Sequence, residues 1–148
     1  MSFTEEEVEY LRTQRLARVA TVDPDGQPDV VPVGYEFDGT HIYIGGWDPV
    51  RTRKYRNVER GNPKVAIVID DLVSTDPWIP RYLRVYGTAE LVQRQGEFGP
   101  ARYMCITPHR FVELQPRRSP LHPRGRAGAA HRPHPHRDRL TTGRPTRK

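Results

Sequence analysis

A single cysteine, Cys105, stands in 148 residues, so the chain can form neither an internal disulfide nor a cysteine-rich zinc centre. That economy fits a reducing, cytoplasmic compartment. No apolar run approaches the roughly 20 residues that a membrane-spanning helix needs. The opening, MSFTEEEVEY, is acidic where a secretory leader would be basic and then apolar. No Gly-rich phosphate loop of the dinucleotide or Walker type occurs, which argues against a Rossmann or NTPase domain. No internal repeat or heptad pattern is present, and no catalytic triad is visible. His41 adjoins a turn and His109 falls in a last strand, and both read as structural.

Charge is present, but unevenly placed. The formal net charge is +6, yet from Pro116 to Lys148 there are ten cations and one anion, which leaves residues 1–115 at −3. An acidic body with one basic segment lacks the broad positive surface of a duplex-binding domain, so nucleic acid is not an expected partner. Residues 1–115 have the length of one domain. Residues 116–148 are rich in Pro, Gly, Arg and His, with few large apolar side chains to offset the entropy of ordering, and disorder is expected there. The segment reads either as a basic arm for polyanions or as an out-of-frame translation of GC-rich DNA that replaces another C-terminus. His131, His134 and His136 within it make at most a weak metal site.

The body reads as short elements. Thr4 and Glu7 form a capping box for a first helix, with Phe3 and Val8 spaced as a hydrophobic staple. LARVATV (16–22) is a strand, and DPDGQP (23–28) turns the chain into VVPVGYEF, where Pro32 implies an edge or a bulge. Asp38-Gly39 marks a hairpin into HIYIGG. Asp48, Pro49 and Gly61 stand as N-cap, first residue and C′ of a second helix. KVAIVID reads as a strand buried on both faces, YLRVYGTAELV as one with a wet face, GEFGPARYM as a connection, and CITPHRFVEL as a last strand. About six short strands with about two or three short helices predict a mainly β protein, a closed or nearly closed antiparallel barrel.

The second helix is unusual in its cations. On a helical wheel Arg53, Arg56, Asn57 and Arg60 share one arc, while Val50, Lys54, Tyr55 and Val58 spread over another. Cations near a helix N-terminus oppose the macrodipole, and an anion bound there would reverse that cost. A solvated helix, with its cations paired to nearby carboxylates, would explain the same pattern. Two features favour a ligand: Lys54 lies in the apolar arc, and Gly45-Gly46 end the preceding strand without side chains, which lets a flat molecule or another backbone approach closely.

The order of these signals carries a resemblance. A strand ending in Gly45-Gly46, then Arg53-Lys54 and Asn57, then Asn62-Pro63 and an apolar strand ending in Asp70-Asp71, resembles the pyridoxamine 5′-phosphate oxidase-like superfamily with its split β-barrel. The chain is more closely similar to that superfamily's deazaflavin-dependent branch, which uses coenzyme F420. LARVATVDPDGQPDVVPVGYEFDG and DPWIPRYLRVYGTAEL support this, and the likeness runs from residue 2 to about 115. The resemblance implies a homodimer with cofactor sites at the subunit seam. It sets the flavin-like ring against the backbone of Pro32, Val33, Ile44, Gly45 and Gly46, and the phosphate region against Thr52, Arg53, Lys54 and Asn57. Trp78, Pro80 and Arg81 would lie on a loop covering the site from the partner chain. Trp78 reads equally well as a packing or dimer-anchoring residue.

The implied activity is hydride transfer between reduced F420 and an unsaturated small organic substrate, for which orientation and exclusion of water are the protein's main tasks. Tyr35, Tyr43, Tyr86 or water would supply the proton. An FMN-binding relative is the alternative cofactor reading, although one phosphate needs fewer cations than a long polyanionic tail. The C-terminal segment by which pyridoxamine 5′-phosphate oxidases grip their substrate has no counterpart. A non-enzymatic polyanion-binding module built on the basic tail is the third reading.

Overall fold

The computed structural model describes residues 2–112, so the basic tail expected over 116–148 lies outside the described residues. Helix α1 (Glu5–Thr13) opens with the expected capping box: Glu7 N–H donates to Thr4 Oγ1 at 3.2 Å, and Thr4 N–H to Glu7 Oε2 at 2.8 Å. Phe3 packs edge-on against Phe37 with ring centroids 5.3 Å apart. Strands β1 (Leu16–Val22) and β2 (Pro28–Gly34) form a hairpin whose turn is held by Asp23, its carboxylate accepting from the N–H groups of Asp25 and Gln27. Strands β3 (Glu36–Phe37) and β4 (Ile42–Ile44) flank the Asp38-Gly39 turn, with Gly39 at φ 105.

A 3-10 turn (Pro49–Arg51) and helix α2 (Arg53–Glu59) lead to β5 (Lys64–Thr75), β6 (Trp78–Gly96) and β7 (Gly99–Val112). The seven strands form one antiparallel sheet in the order β2-β1-β5-β6-β7-β4-β3. This is the mainly β, antiparallel architecture that the strand pattern predicts, in the split-barrel form that the resemblance implies. Its interior holds Val19, Ile42, Ile44, Ile67, Ile69, Leu83, Val85, Met104 and Ile106, all essentially without solvent contact. Pro32 is tolerated because β2 ends the sheet order and its missing N–H interrupts no central ladder.

Four expectations need correction. VVPVGYEF is broken into β2 and β3, which makes seven strands where about six are expected. GEFGPARYM is not a connection: Gly96 and Gly99 pair across a tight turn and Ala101 to Met104 already belong to β7. Their apolar side chains are interrupted by Arg102, which hides the strand period. KVAIVID is buried on one face only, through Val65, Ile67 and Ile69, while Ala66 and Val68 remain half-buried. Trp78, Pro80 and Arg81 are on β6, not a loop: Leu72 faces Pro80 and Asp71 faces Arg81, with a bulge between Leu72 and Ser74 absorbing the proline.

That long β5–β6 hairpin is tied to α1 near its turn. Asp71 accepts two hydrogen bonds from Arg81, at 2.9 and 2.7 Å, and one from the Tyr10 hydroxyl at 2.8 Å. The Arg81 guanidinium also lies 4.6 Å from the Tyr10 ring centroid. The bonds from Arg81, seconded by Tyr10, hold the Asp71 carboxyl below its ordinary value despite partial burial. Because the unfolded chain takes up this proton first, the latch stabilises fully above the ordinary value of 3.8 and is lost as the pH falls through it towards the lowered one. Urea unfolding of the wild type and Asp71→Asn should therefore show a gap in stability at neutral pH that narrows as the pH drops below about 3.8.

Candidate functional site

Helix α2 brings the cations beside the end of β4, and two of its own side chains decide how. The Tyr55 hydroxyl donates to the Ile44 carbonyl and accepts from Met104 N–H at 3.1 Å, bridging two residues that face each other across the β4–β7 ladder. Burial raises the Tyr55 phenol to about 12, so it is protonated and able to donate at any physiological pH. The Asn57 amide donates to Thr21 Oγ1 on β1 at 2.9 Å, with both side chains buried. The helix then stops in a two-bond C-terminal motif, Gly61 N–H to Val58 C=O and Asn62 N–H to Asn57 C=O, with Gly61 at φ 97.

The N-terminal end of this segment differs from expectation. Asp48 does not cap the helix: it sits at φ 48 in the left-handed region and pairs with Arg51 at 3.1 Å. The 3-10 turn intervenes, and Thr52 is the residue flanking α2, its hydroxyl donating to the Pro49 carbonyl at 2.6 Å. Arg53, Arg56 and Arg60 are exposed and make no ion pair among the described residues. Lys54 is half-buried. Burial lowers its pKa, the Asp29 carboxylate on β2 partly opposes this, and its ammonium lies 5.8 Å from the Tyr55 ring centroid.

The glycine ledge is open on one residue only. A Cβ built on Gly46 would meet nothing within 4 Å, whereas one on Gly45 would run into the Tyr103 ring. The missing side chain at Gly45 therefore makes room for protein, and only Gly46 presents bare backbone outward. Ile44 and Val33 turn their side chains into the core and Pro32 is exposed. Asn57, placed with the cations by the helical wheel, faces inward, because a short helix crossing a sheet buries more of its circumference than an idealised arc allows. Arg81 is engaged by Asp71, and Trp78 is 67% exposed beyond it. By strand rise, Arg81 is roughly 25 Å along β6 from Ala89, whose N–H bonds Pro63 just after α2. Within one chain Trp78 and Arg81 are thus not gathered with the cations.

The pattern reading missed a cleft of about 420 Å³ between the end of α1, the β2–β3 corner, β4 and the β6–β7 turn. Gly34 and Gly45, the latter next to the open Gly46, are among its walls, and Glu36, Tyr43 and Arg94 line it. Nothing in local spacing marks these residues, because they come from four separate elements. Of the tyrosines considered as proton donors, Tyr35 donates to the Leu11 carbonyl at 2.7 Å and Tyr43 to Asp38 at 3.0 Å, while Tyr86 is partly exposed. His41 is bound up in the Asp38 turn and His109 contacts Thr88, in keeping with structural roles.

The model of the pyridoxamine 5′-phosphate oxidase family matches residues 3–122. The chain belongs to that family. Within it, the chain is 40% identical over 121 residues to the 5a,11a-dehydrotetracycline/5a,11a-dehydrooxytetracycline reductase of Streptomyces rimosus, covering 80% of this chain and 81% of the relative. Among solved structures, an F420 reductase superposes with a TM-score of 0.59 at 25% identity, over 74% of this chain and 98% of the other. An FAD-binding protein of Mesorhizobium loti superposes at 0.57 and 20% identity, over 75% and 94% of the two chains, a likeness of fold alone. The oxidase-family barrel is accordingly the scaffold on which the cations and ledge are mounted.

In this family member the cations depend on Tyr55. Tyr55→Phe would leave the Ile44 carbonyl and the Met104 N–H buried without their partner, a loss of about 1–3 kcal/mol. Chemical denaturation should show that loss, and amide exchange should quicken first at Met104.

Proposed function

We propose that the protein is an oxidoreductase that uses the deazaflavin coenzyme F420 to reduce a conjugated small organic substrate, working as a cytoplasmic homodimer built on the barrel of residues 1–115. The observation that carries this reading is the run of cations along and just after α2, Arg53, Lys54, Arg56 and Arg60, which make no ion pair among the described residues, on the segment that follows the open backbone at Gly46. An unpaired cluster beside a side-chain-free backbone fits a flat ring carrying a long anionic appendage. FMN, with a single phosphate, would leave much of the cluster unused. The coenzyme, when bound, supplies the hydride. The Streptomyces rimosus relative supports a fused-ring enone as the substrate class.

The chain's own residues bind, orient and shield. Arg53 and Lys54 would hold the phosphate region by charge-assisted hydrogen bonds, and the backbone of Pro32, Val33, Ile44 and Gly46 would support the ring. Thr52 would donate its hydroxyl to the phosphate on turning it from the Pro49 carbonyl, and Asn57 would act by fixing the helix through Thr21. Trp78 and Arg81, remote from α2 in their own chain, would serve the partner's site across the seam. The exposed side chains of Val30, Trp47, Leu72, Val73 and Trp78 support such a seam, since an isolated chain leaves them in water.

Fluorescence titration should give micromolar or tighter F420 binding and markedly weaker FMN binding, and absence of F420 binding would overturn the proposal. Arg53→Ala and Lys54→Ala should each weaken it about tenfold. Because burial lowers the Lys54 pKa, affinity should fall as the pH rises through that lowered value, and Lys54→Ala should remove this limb of the profile.

A further inference from the structure

The cleft beside the ledge contains a charge pair that does not close on itself. Arg94 Nη2 and Glu36 Oε1 are 3.6 Å apart, too far for a hydrogen bond. Arg94 Nε and Glu36 Oε2 are both screened from water and have no hydrogen-bond partner. A buried donor and a buried acceptor of complementary charge would ordinarily meet. Packing prevents it here. The Arg94 guanidinium carbon lies over the Tyr43 ring, 3.9 Å from its centroid, and Tyr43 is itself tethered to Asp38. Glu36 is wedged against Gly96, where any Cβ would collide with its Oε2.

Around this pair the cleft is cationic. Arg12 and Arg15, at and just beyond the end of α1, line it and make no ion pair among the described residues; Glu97 is the other anion in its wall. Three arginines face two glutamates, a surplus of one positive charge, in a volume of about 420 Å³ with aromatic walls at Tyr43 and Phe98. Such a chamber suits a flat molecule carrying one negative oxygen.

We propose that this cleft seats the substrate, and that Arg94, stacked on Tyr43, is a specificity-determining residue that binds an anionic enolate or carboxylate oxygen of a flat, conjugated substrate. The inference rests on the reductase reading, since a hydride acceptor must lie against the coenzyme ring, and the cleft reaches Gly45, the residue before the open backbone of Gly46. Glu36 then has a definite part. Its charge keeps the empty cleft from being a strong general anion trap, while the Tyr43 ring positions the guanidinium.

The test uses the full-length protein and two probes of one shape, 2-hydroxy-1,4-naphthoquinone, an enolate at neutral pH, and uncharged 2-methyl-1,4-naphthoquinone, titrated by calorimetry. The enolate should bind about tenfold more tightly, Arg94→Gln should abolish the preference, and Arg94→Lys should restore part of it. F420 affinity, measured in parallel, should stay unchanged in both variants. Equal affinity for the two quinones, or a preference that survives Arg94→Gln, overturns the proposal. Should Arg94→Gln melt below the working temperature, Glu36→Gln decides: enolate binding should tighten about threefold or more, and weaker or unchanged binding counts against Arg94. Normal F420 binding with no effect at Arg94 removes the cleft assignment alone. Loss of F420 binding with an intact, Arg94-dependent preference removes the reductase reading and supports the cleft as an anion site.

Discussion

The arrangement depends on one buried phenol. Tyr55 reaches from α2 into the barrel and satisfies a carbonyl and an amide on opposite sides of the β4–β7 ladder. A helix of only seven residues has little stability of its own, so its position must come from what it buries. Tyr55, Asn57 and Val58 supply that anchorage, and the cations on the remaining circumference are carried along to the end of β4. Gly46 follows directly, so the open backbone and the positive charge are brought together by the same hydroxyl.

Electrostatics then gives the helix its character. Some surface charges are paired, as in Arg18 with Asp70, Arg51 with Asp48 and Arg102 with Glu59 at the end of α2, whereas Arg53, Arg56 and Arg60 are left to solvent. The barrel tolerates this because the rest of residues 1–115 is acidic overall. Lys54 is the residue placed most against its own solvation, half-buried with a lowered pKa, and an anion near it would recover part of what burial costs. In the cleft lined by Gly45, Glu36 and Arg94 show the same economy in another form, a pair held apart by aromatic and glycine packing.

Much of the barrel was legible from residue pattern. The Thr4–Glu7 box, the Asp23 and Asp38-Gly39 turns, the edge position of Pro32 and the helix stop at Gly61 each rest on local chemistry that a few residues contain completely. The errors share a cause as well. GEFGPARYM and the segment around Trp78 and Pro80 lack alternation, and they are strands because long neighbouring strands extend pairing to them. Asp48 was displaced as a cap because the chain needed a left-handed corner before α2.

The amino-acid sequence by itself determined the element types, the charge asymmetry, the placing of cations after a Gly-Gly strand end and the likeness to the oxidase family. Each of these is written in neighbouring residues. Only the tertiary structure decided that Gly45 houses Tyr103 while Gly46 stays open, that Asn57 turns inward to Thr21, and that Arg81 is spent on Asp71. It alone assembled Glu36, Tyr43 and Arg94 around one cleft. The reason is physical: a side chain's direction and partners are set by contacts between strands far apart along the chain, and those contacts leave no mark in local spacing.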